Sequence, residues 1–106
     1  MKTQPLLVTV ILNWNLPQET LACVNSLLMS TYPRQRIVVV DNGSTDNSVT
    51  WLQNQLGNQI DILETGENLF FAGGNNTGIR YALDAAADYV LVLNNDTQVA
   101  TDTISR

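Results

Sequence analysis

The sequence predicts an α/β fold built on a parallel sheet, with its elements in the order βαβαβαβ. Three observations predict it. Four short apolar, mostly β-branched runs recur along the 106 residues. Segments with helical periodicity separate them, and polar clusters rich in Asn, Asp and Gly follow the runs. Connections of this length between buried strands are crossovers rather than hairpins, and crossovers between parallel strands are right-handed.

The first strand is Leu6 to Leu12, nearly continuous and apolar, as a strand covered on both faces must be. Pro17 suits the first turn of the following helix, where a missing N–H costs nothing, and Glu19 complements the helix dipole. Leu21, Val24, Leu27 and Leu28 recur at helical spacing, and Pro33 lies beyond the end. Ile37 to Val40 is the second strand, closing on Asp41. The polar turn from Asp41 to Ser48 leads to a helix carried by Val49, Leu52 and Leu56, with Gly57 as its C-cap. Ile60 to Leu63 is a short third strand. A Gly-rich loop from Gly66 to Gly74 then precedes a helix with Ile79, Ala82, Leu83 and Ala86 on its apolar stripe. Tyr89 to Leu93 is the fourth strand, closing on Asn94-Asn95-Asp96, and Thr101 to Arg106 is too short to assign.

Composition narrows the chemistry. Net charge is −5 and the isoelectric point about 4.2, which disfavours non-specific nucleic-acid binding. Hydrophobic residues make up 44% and mean hydropathy is −0.01, so a packed core rather than disorder is expected. No apolar run approaches the roughly 20 residues that span a bilayer. The absence of His and the single Cys exclude His- and Cys-based zinc sites, a Ser-His-Asp triad and an internal disulfide. The run from Leu6 to Leu12 is too short for a signal peptide and ends in Asn13-Trp14-Asn15 without a cleavage site. Leu21-Ala22-Cys23 lies too far from it to serve as a lipoprotein site, so Cys23 is expected to be buried on a helix face.

Open α/β sheets bind ligands beyond the carboxyl ends of their strands. The clusters Asn13-Trp14-Asn15, Asp41-Asn42-Gly43-Ser44, Asn68 to Asn76 and Asn94-Asn95-Asp96 should share that rim, and eight of the 12 Asn fall in them. Trp14 offers a flat face for a nucleobase or, alternatively, packs half-buried. Asp41 either accepts an N–H from a pyrimidine or caps the following turn. Gly73-Gly74 either lets backbone approach an anionic ligand at a helix start or makes a plain turn. Asp96 is a hard oxygen ligand suited to Mg²⁺ or Mn²⁺, and such an ion would reconcile an acidic chain with a diphosphate. There is no G-x-x-x-x-G-K-[ST], and no G-x-G-x-x-G follows the first strand. Three glycosylation sequons, at Asn42, Asn75 and Asn95, are coincidences of an Asn-rich chain.

Taken together, four segments resemble glycosyltransferase family 2, inverting nucleotide-sugar transferases with the GT-A fold. They are Val8 to Asn15, Val38 to Asp46, Asn68 to Gly78 and Tyr89 to Thr97, in that order. The F-A-G-G-N-N and L-N-N-D-T forms are most similar to the rhamnosyltransferase-type branch. The resemblance implies a Rossmann-like parallel sheet forming the N-terminal part of a GT-A fold over residues 1–106. It places Trp14 beside the base, where Tyr is usual, and Asp41 on the pyrimidine. Asn42 stands where many members carry a second Asp. Asn13, Asn15, Gly43, Gly73, Gly74, Asn76 and Gly78 fall in the donor-binding segments. Asn94-Asn95-Asp96 occupies the D-x-D position, with Asp96 as the metal ligand.

The implied donor is a UDP- or dTDP-type nucleotide-diphosphate sugar, with dTDP-rhamnose among the candidates, and the implied acceptor is a glycan in polysaccharide biosynthesis. Family members need about twice this length, so the chain is expected to be an N-terminal piece that is inactive alone. Its general base and acceptor site are expected beyond Arg106. In an inverting transfer that base deprotonates the acceptor hydroxyl as the diphosphate leaves. The expected location is cytoplasmic, soluble or peripheral at the inner membrane face.

Two other classes compete. A receiver-type signalling domain needs an acidic pair after strand one and a late Lys, whereas the only Lys is Lys2. A non-catalytic nucleotide-binding or assembly module remains the alternative, and an exposed fourth strand predicts homo-oligomers through the sheet edge.

Overall fold

The computed structural model describes residues 5–29 and 32–93, leaving aside the side chains of residues 70–72. Its elements are β1 (Leu7–Asn13), α1 (Pro17–Leu28), β2 (Gln35–Asp41), α2 (Ser48–Leu56), a 3₁₀ turn (Gly57–Gln59), β3 (Asp61–Glu64), α3 (Phe70–Asp84) and β4 (Tyr89–Leu93). The predicted βαβαβαβ order is therefore observed, with strand ends shifted by one or two residues. All four strands are parallel, in the order β3-β2-β1-β4. The register runs from Leu7↔Gln35 to Asn13↔Asp41 between β1 and β2, which sets Asn13 directly beside Asp41.

Strand alternation divides the core into two layers. Ile11, Ile37 and Val39 face one side, where Cys23, Val24 and Leu27 of α1 and Leu52 and Leu56 of α2 cover them. Val8, Val10, Val38 and Val40 face the other side, with Ala82 of α3. The chain crosses the sheet between β3 and β4, so the strand order reverses beside β1. That is where an open α/β sheet leaves a crevice at its carboxyl edge.

Each helix departs from its predicted stripe in an instructive way. In α1 the buried residues are Thr20, Cys23, Val24 and Leu27, while Leu28 is exposed. The stripe thus begins one residue earlier than the leucines suggest and takes in a polar residue. In α2 the buried set is Ser48, Leu52 and Leu56, and Gly57 ends the helix with φ +55°.

The largest departure is in α3. The helix starts at Phe70, so Gly73 and Gly74 lie within its first turns rather than in a loop before it. Leu83 is 67% exposed and Ala86 lies past the helix end. Gly74, Gly78 and Ala82, spaced four apart, form the face on the sheet instead. A Cβ on Gly78 would sit 2.2 Å from Val10 Cγ1, and one on Gly74 would sit 2.7 Å from Leu12 Cδ2. The apolar-period rule missed this face because small residues, not large ones, make close helix–sheet packing.

At the opposite end of the molecule, Tyr81 donates a hydrogen bond to Asp61 and so ties α3 to β3. Partial burial raises the Tyr81 phenol above its ordinary value of 10.0, and the hydrogen bond and negative charge of Asp61 add to the rise. Because the folded value exceeds the unfolded one, this contribution to stability is complete below about pH 10 and is lost as pH rises through the folded value. Tyr81→Phe is expected to flatten the alkaline fall in stability, read as urea midpoints at about pH 8 and about pH 11. An unchanged alkaline slope would refute it.

Candidate functional site

The carboxyl ends of β1 and β2 carry a buried polar network. Asn13 is fully buried and Asp41 is 4% exposed. By strand alternation both point to the α1/α2 side, below the ends of Ile11 and Val39. Asn13 Nδ2 donates to Asp41 Oδ1 at 2.9 Å and lies 3.3 Å from Ser44 Oγ. The Ser44 hydroxyl donates to Asp41 Oδ1 at 2.6 Å, and the Ser44 N–H donates to Asp41 Oδ2 at 3.0 Å. Thr20 of α1 completes the set by donating to Asn13 Oδ1 at 2.6 Å. A buried carboxylate without such donors would cost several kcal/mol, so this cage is the condition for Asp41 to exist where it does.

The loops after β1 and β2 are clasped together. Asn15 adopts φ +56°, a left-handed conformation that Asn tolerates better than most residues. Its Oδ1 accepts the N–H groups of Thr45 (2.8 Å) and Asp46 (3.2 Å), and its own N–H donates to Ser44 Oγ at 3.0 Å. Trp14 lies between these two anchored Asn residues and is 49% exposed. The backbone that carries the indole is therefore fixed on both sides while the ring faces outward.

Asn42 points the other way, toward the α3 layer, and is 5% exposed. Its backbone N–H donates to the Asn13 carbonyl at 2.9 Å. Its side-chain Oδ1 accepts from the Leu69 N–H at 3.0 Å, and Nδ2 donates to Asn68 Oδ1 at 3.3 Å. Asn42 thus holds the segment that enters α3. Gly43, with φ +82°, lies against the backbone of Glu67 and Asn68.

The structure brings Asn13, Asn15, Asp41, Asn42 and Gly43 into one cluster, with Trp14 at its edge. Gly74 joins from α3 through its closeness to Asn42. Gly73 stands against the Leu69 side chain, and Gly78 against Val10 farther down the sheet, so both serve packing. Asn76 is exposed on α3, with no hydrogen bond to the cluster among those described. Asn94, Asn95 and Asp96 lie outside the described residues. Among the described residues no group of three or more His, Cys, Asp or Glu is placed to hold a metal ion. No described helix is long and apolar enough to cross a membrane.

Sequence reasoning gave no role to Thr20 or Ser44. The signal for Thr20 was available: it precedes Cys23, Val24 and Leu27 by three, four and seven residues, the spacing of a buried helical face.

A doubly wound parallel sheet with polar clusters at its carboxyl rim is the architecture of a GT-A domain. The chain matches the glycosyl transferase family 2 pattern over residues 8–106 and belongs to that family. It is 40% identical over 68 residues to the low-salt glycan biosynthesis hexosyltransferase Agl10 of Haloferax volcanii; the match covers 63% of this chain and 21% of that protein. Among solved structures, S. aureus TarS 1–349 in complex with UDP-GlcNAc superposes with a TM-score of 0.81 at 19% identity, covering 94% of this chain and 29% of that one. The mannosyltransferase PcManGT from Pyrobaculum calidifontis, in complex with GDP-Man and Mn²⁺, superposes with a TM-score of 0.77 at 20% identity, covering 91% and 29%. At these identities the structures establish a common fold.

Proposed function

We propose that this chain is the donor-binding part of an inverting glycosyltransferase and holds a UDP- or dTDP-type nucleotide-diphosphate sugar. The observation that carries the reading is the hydrogen-bond state of Asp41. Each carboxylate oxygen accepts about two hydrogen bonds. Oδ1 is filled by Asn13 and Ser44, whereas among the described residues Oδ2 accepts only the Ser44 N–H. One acceptor position remains, and it matches a base presenting one N–H at its ring edge. Uracil and thymine do so at N3. Cytosine offers an acceptor there, and guanine offers adjacent N1–H and N2–H₂ donors that would need a second position. Trp14, which follows Asn13 in sequence and is 49% exposed, supplies a stacking face.

The assignment of residues 1–106 as one donor-binding part, with dTDP-rhamnose among the candidate donors, rests on the resemblance of the sequence motifs. The PcManGT complex with Mn²⁺ supports a divalent ion, as does the need to offset acidity around a diphosphate. Asp96 is the residue assigned to hold it, as a hard oxygen donor completed by phosphate oxygens. When bound, Mg²⁺ or Mn²⁺ supplies charge neutralisation for the departing diphosphate. The residues of this chain bind and orient the nucleotide. The proposed acceptor is a glycan; because this chain spans only 21% of Agl10 and 29% of TarS 1–349, the 106 residues alone are expected to transfer no sugar. A cytoplasmic location, soluble or at the inner membrane face, fits use of such donors.

Calorimetry of the chain with UDP, dTDP, GDP and CDP, each with Mn²⁺, tests the reading. UDP or dTDP is expected to bind at least about tenfold more tightly than CDP or GDP, a difference of about 1.4 kcal/mol. Equal affinities, or no binding by any of them, would overturn it.

A further inference from the structure

We infer that Thr20, on α1, is a positioning residue that sets base selectivity by holding Asn13, and through it Asp41, in one orientation. This rests on the reading of Asp41 as the acceptor for the base N–H. The argument begins with the amide of Asn13. A carboxylate only accepts, so the amide must turn Nδ2 toward Asp41. That leaves Oδ1 pointing away in a fully buried position, where an acceptor without a donor is costly.

Thr20 is itself fully buried, and its hydroxyl donates to that oxygen at 2.6 Å. The amide is thereby held at both ends: Thr20 on Oδ1, and Asp41 with Ser44 on Nδ2. Asp41 Oδ1 is fixed in turn, and the single open position on Oδ2 keeps its direction. Thr20 is seven residues from Asn13 and lies on a helix, so the relay also ties the placement of α1 to the selectivity of the rim.

Removing the hydroxyl leaves Asn13 Oδ1 buried without that donor. The amide is then held at Nδ2 alone, so its tilt, and with it the direction of the Asp41 carboxylate it bonds, is no longer fixed. Selectivity for a base with an N3–H should then fall, whereas a loss of global stability alone would leave the ratio of two nucleotide affinities unchanged in the folded protein.

The test compares UDP with CDP, each with Mn²⁺, on the 106-residue chain and its variants. Thr20→Val keeps the shape and removes the hydroxyl; the UDP-over-CDP preference is expected to fall about fivefold to tenfold. Thr20→Ser keeps the hydroxyl and is expected to retain the preference. Should Thr20→Val fail to fold, Thr20→Cys, whose thiol is a weak donor, is read in its place. A wild-type preference that survives in Thr20→Val or Thr20→Cys would overturn this proposal alone. A loss in Thr20→Ser equal to that in Thr20→Val would also overturn it. A wild-type chain with no preference for UDP over CDP would instead refute the reading of Asp41, and this proposal with it.

Discussion

Gly43→Ala is expected to destabilise the chain by about 3 kcal/mol, the sum of a left-handed backbone penalty of about 1–2 kcal/mol and an overpacking cost of about 1–3 kcal/mol. The residue sits at φ +82°, and a Cβ there would lie 2.5 Å from the Glu67 carbonyl carbon and 2.7 Å from the Asn68 nitrogen. Both are main-chain atoms in a segment that Asn42 already pins through Leu69, so neither can yield by a rotamer change. Relief requires the 42–44 turn to move off the 67–68 segment, which would withdraw Ser44 from Asp41. Gly66→Ala separates the two effects, because Gly66 has φ +80° but open space around its Cβ direction. It should cost only the backbone part, about 1–2 kcal/mol. Urea denaturation of the three proteins measures both numbers. Equal losses in the two variants would show that the close approach at Gly43 carries no energy.

Asp41→Asn should have the second large effect, because it changes acceptor count without changing shape. The carboxylate receives three hydrogen bonds, from Asn13 Nδ2, the Ser44 hydroxyl and the Ser44 N–H. An amide has one oxygen, so its NH₂ must confront either Asn13 Nδ2 or the Ser44 N–H, both donors. A buried donor left facing a donor costs about 1–3 kcal/mol. With the NH₂ on the Oδ2 side the open acceptor position is lost, and with it on the Oδ1 side the base meets a neutral amide oxygen in place of a carboxylate, so UDP affinity is expected to drop at least about tenfold. Calorimetry reads the affinity and urea denaturation the stability. A variant that binds UDP as tightly as the parent would remove Asp41 from the base site.

The strands and their parallel order were legible because buried β-branched runs such as Val38-Val39-Val40 have few other uses. The rim was legible for the same reason: Asn13 and Asp41 end those runs, so topology alone brings them to one edge. What escaped the sequence was small-residue packing and side-chain geometry. Gly74 read as loop chemistry because glycine is rare inside helices, and Gly78 only as part of a donor-binding segment, yet their missing side chains are what admits α3 to within reach of Val10 and Leu12. Thr20 has the spacing of a buried helical face, but nothing local shows which distant amide a buried threonine satisfies. The opposite directions of Asp41 and Asn42, adjacent in sequence, follow from strand alternation and become informative only once the layers on each face are known.

The strand order has a consequence for how the sheet is assembled. Leu7 pairs with Gln35 across 28 residues and with Tyr89 across 82. By chain-closure statistics the second pairing costs about 1 kcal/mol more, before any contact offsets it. Nucleation therefore favours the β1–α1–β2 half, and that half contains Asn13, Thr20 and Asp41, with Ser44 three residues beyond it. The polar network at the rim can close while β4 is still undocked, so the part of the fold that reads the base is built from the contacts nearest in sequence.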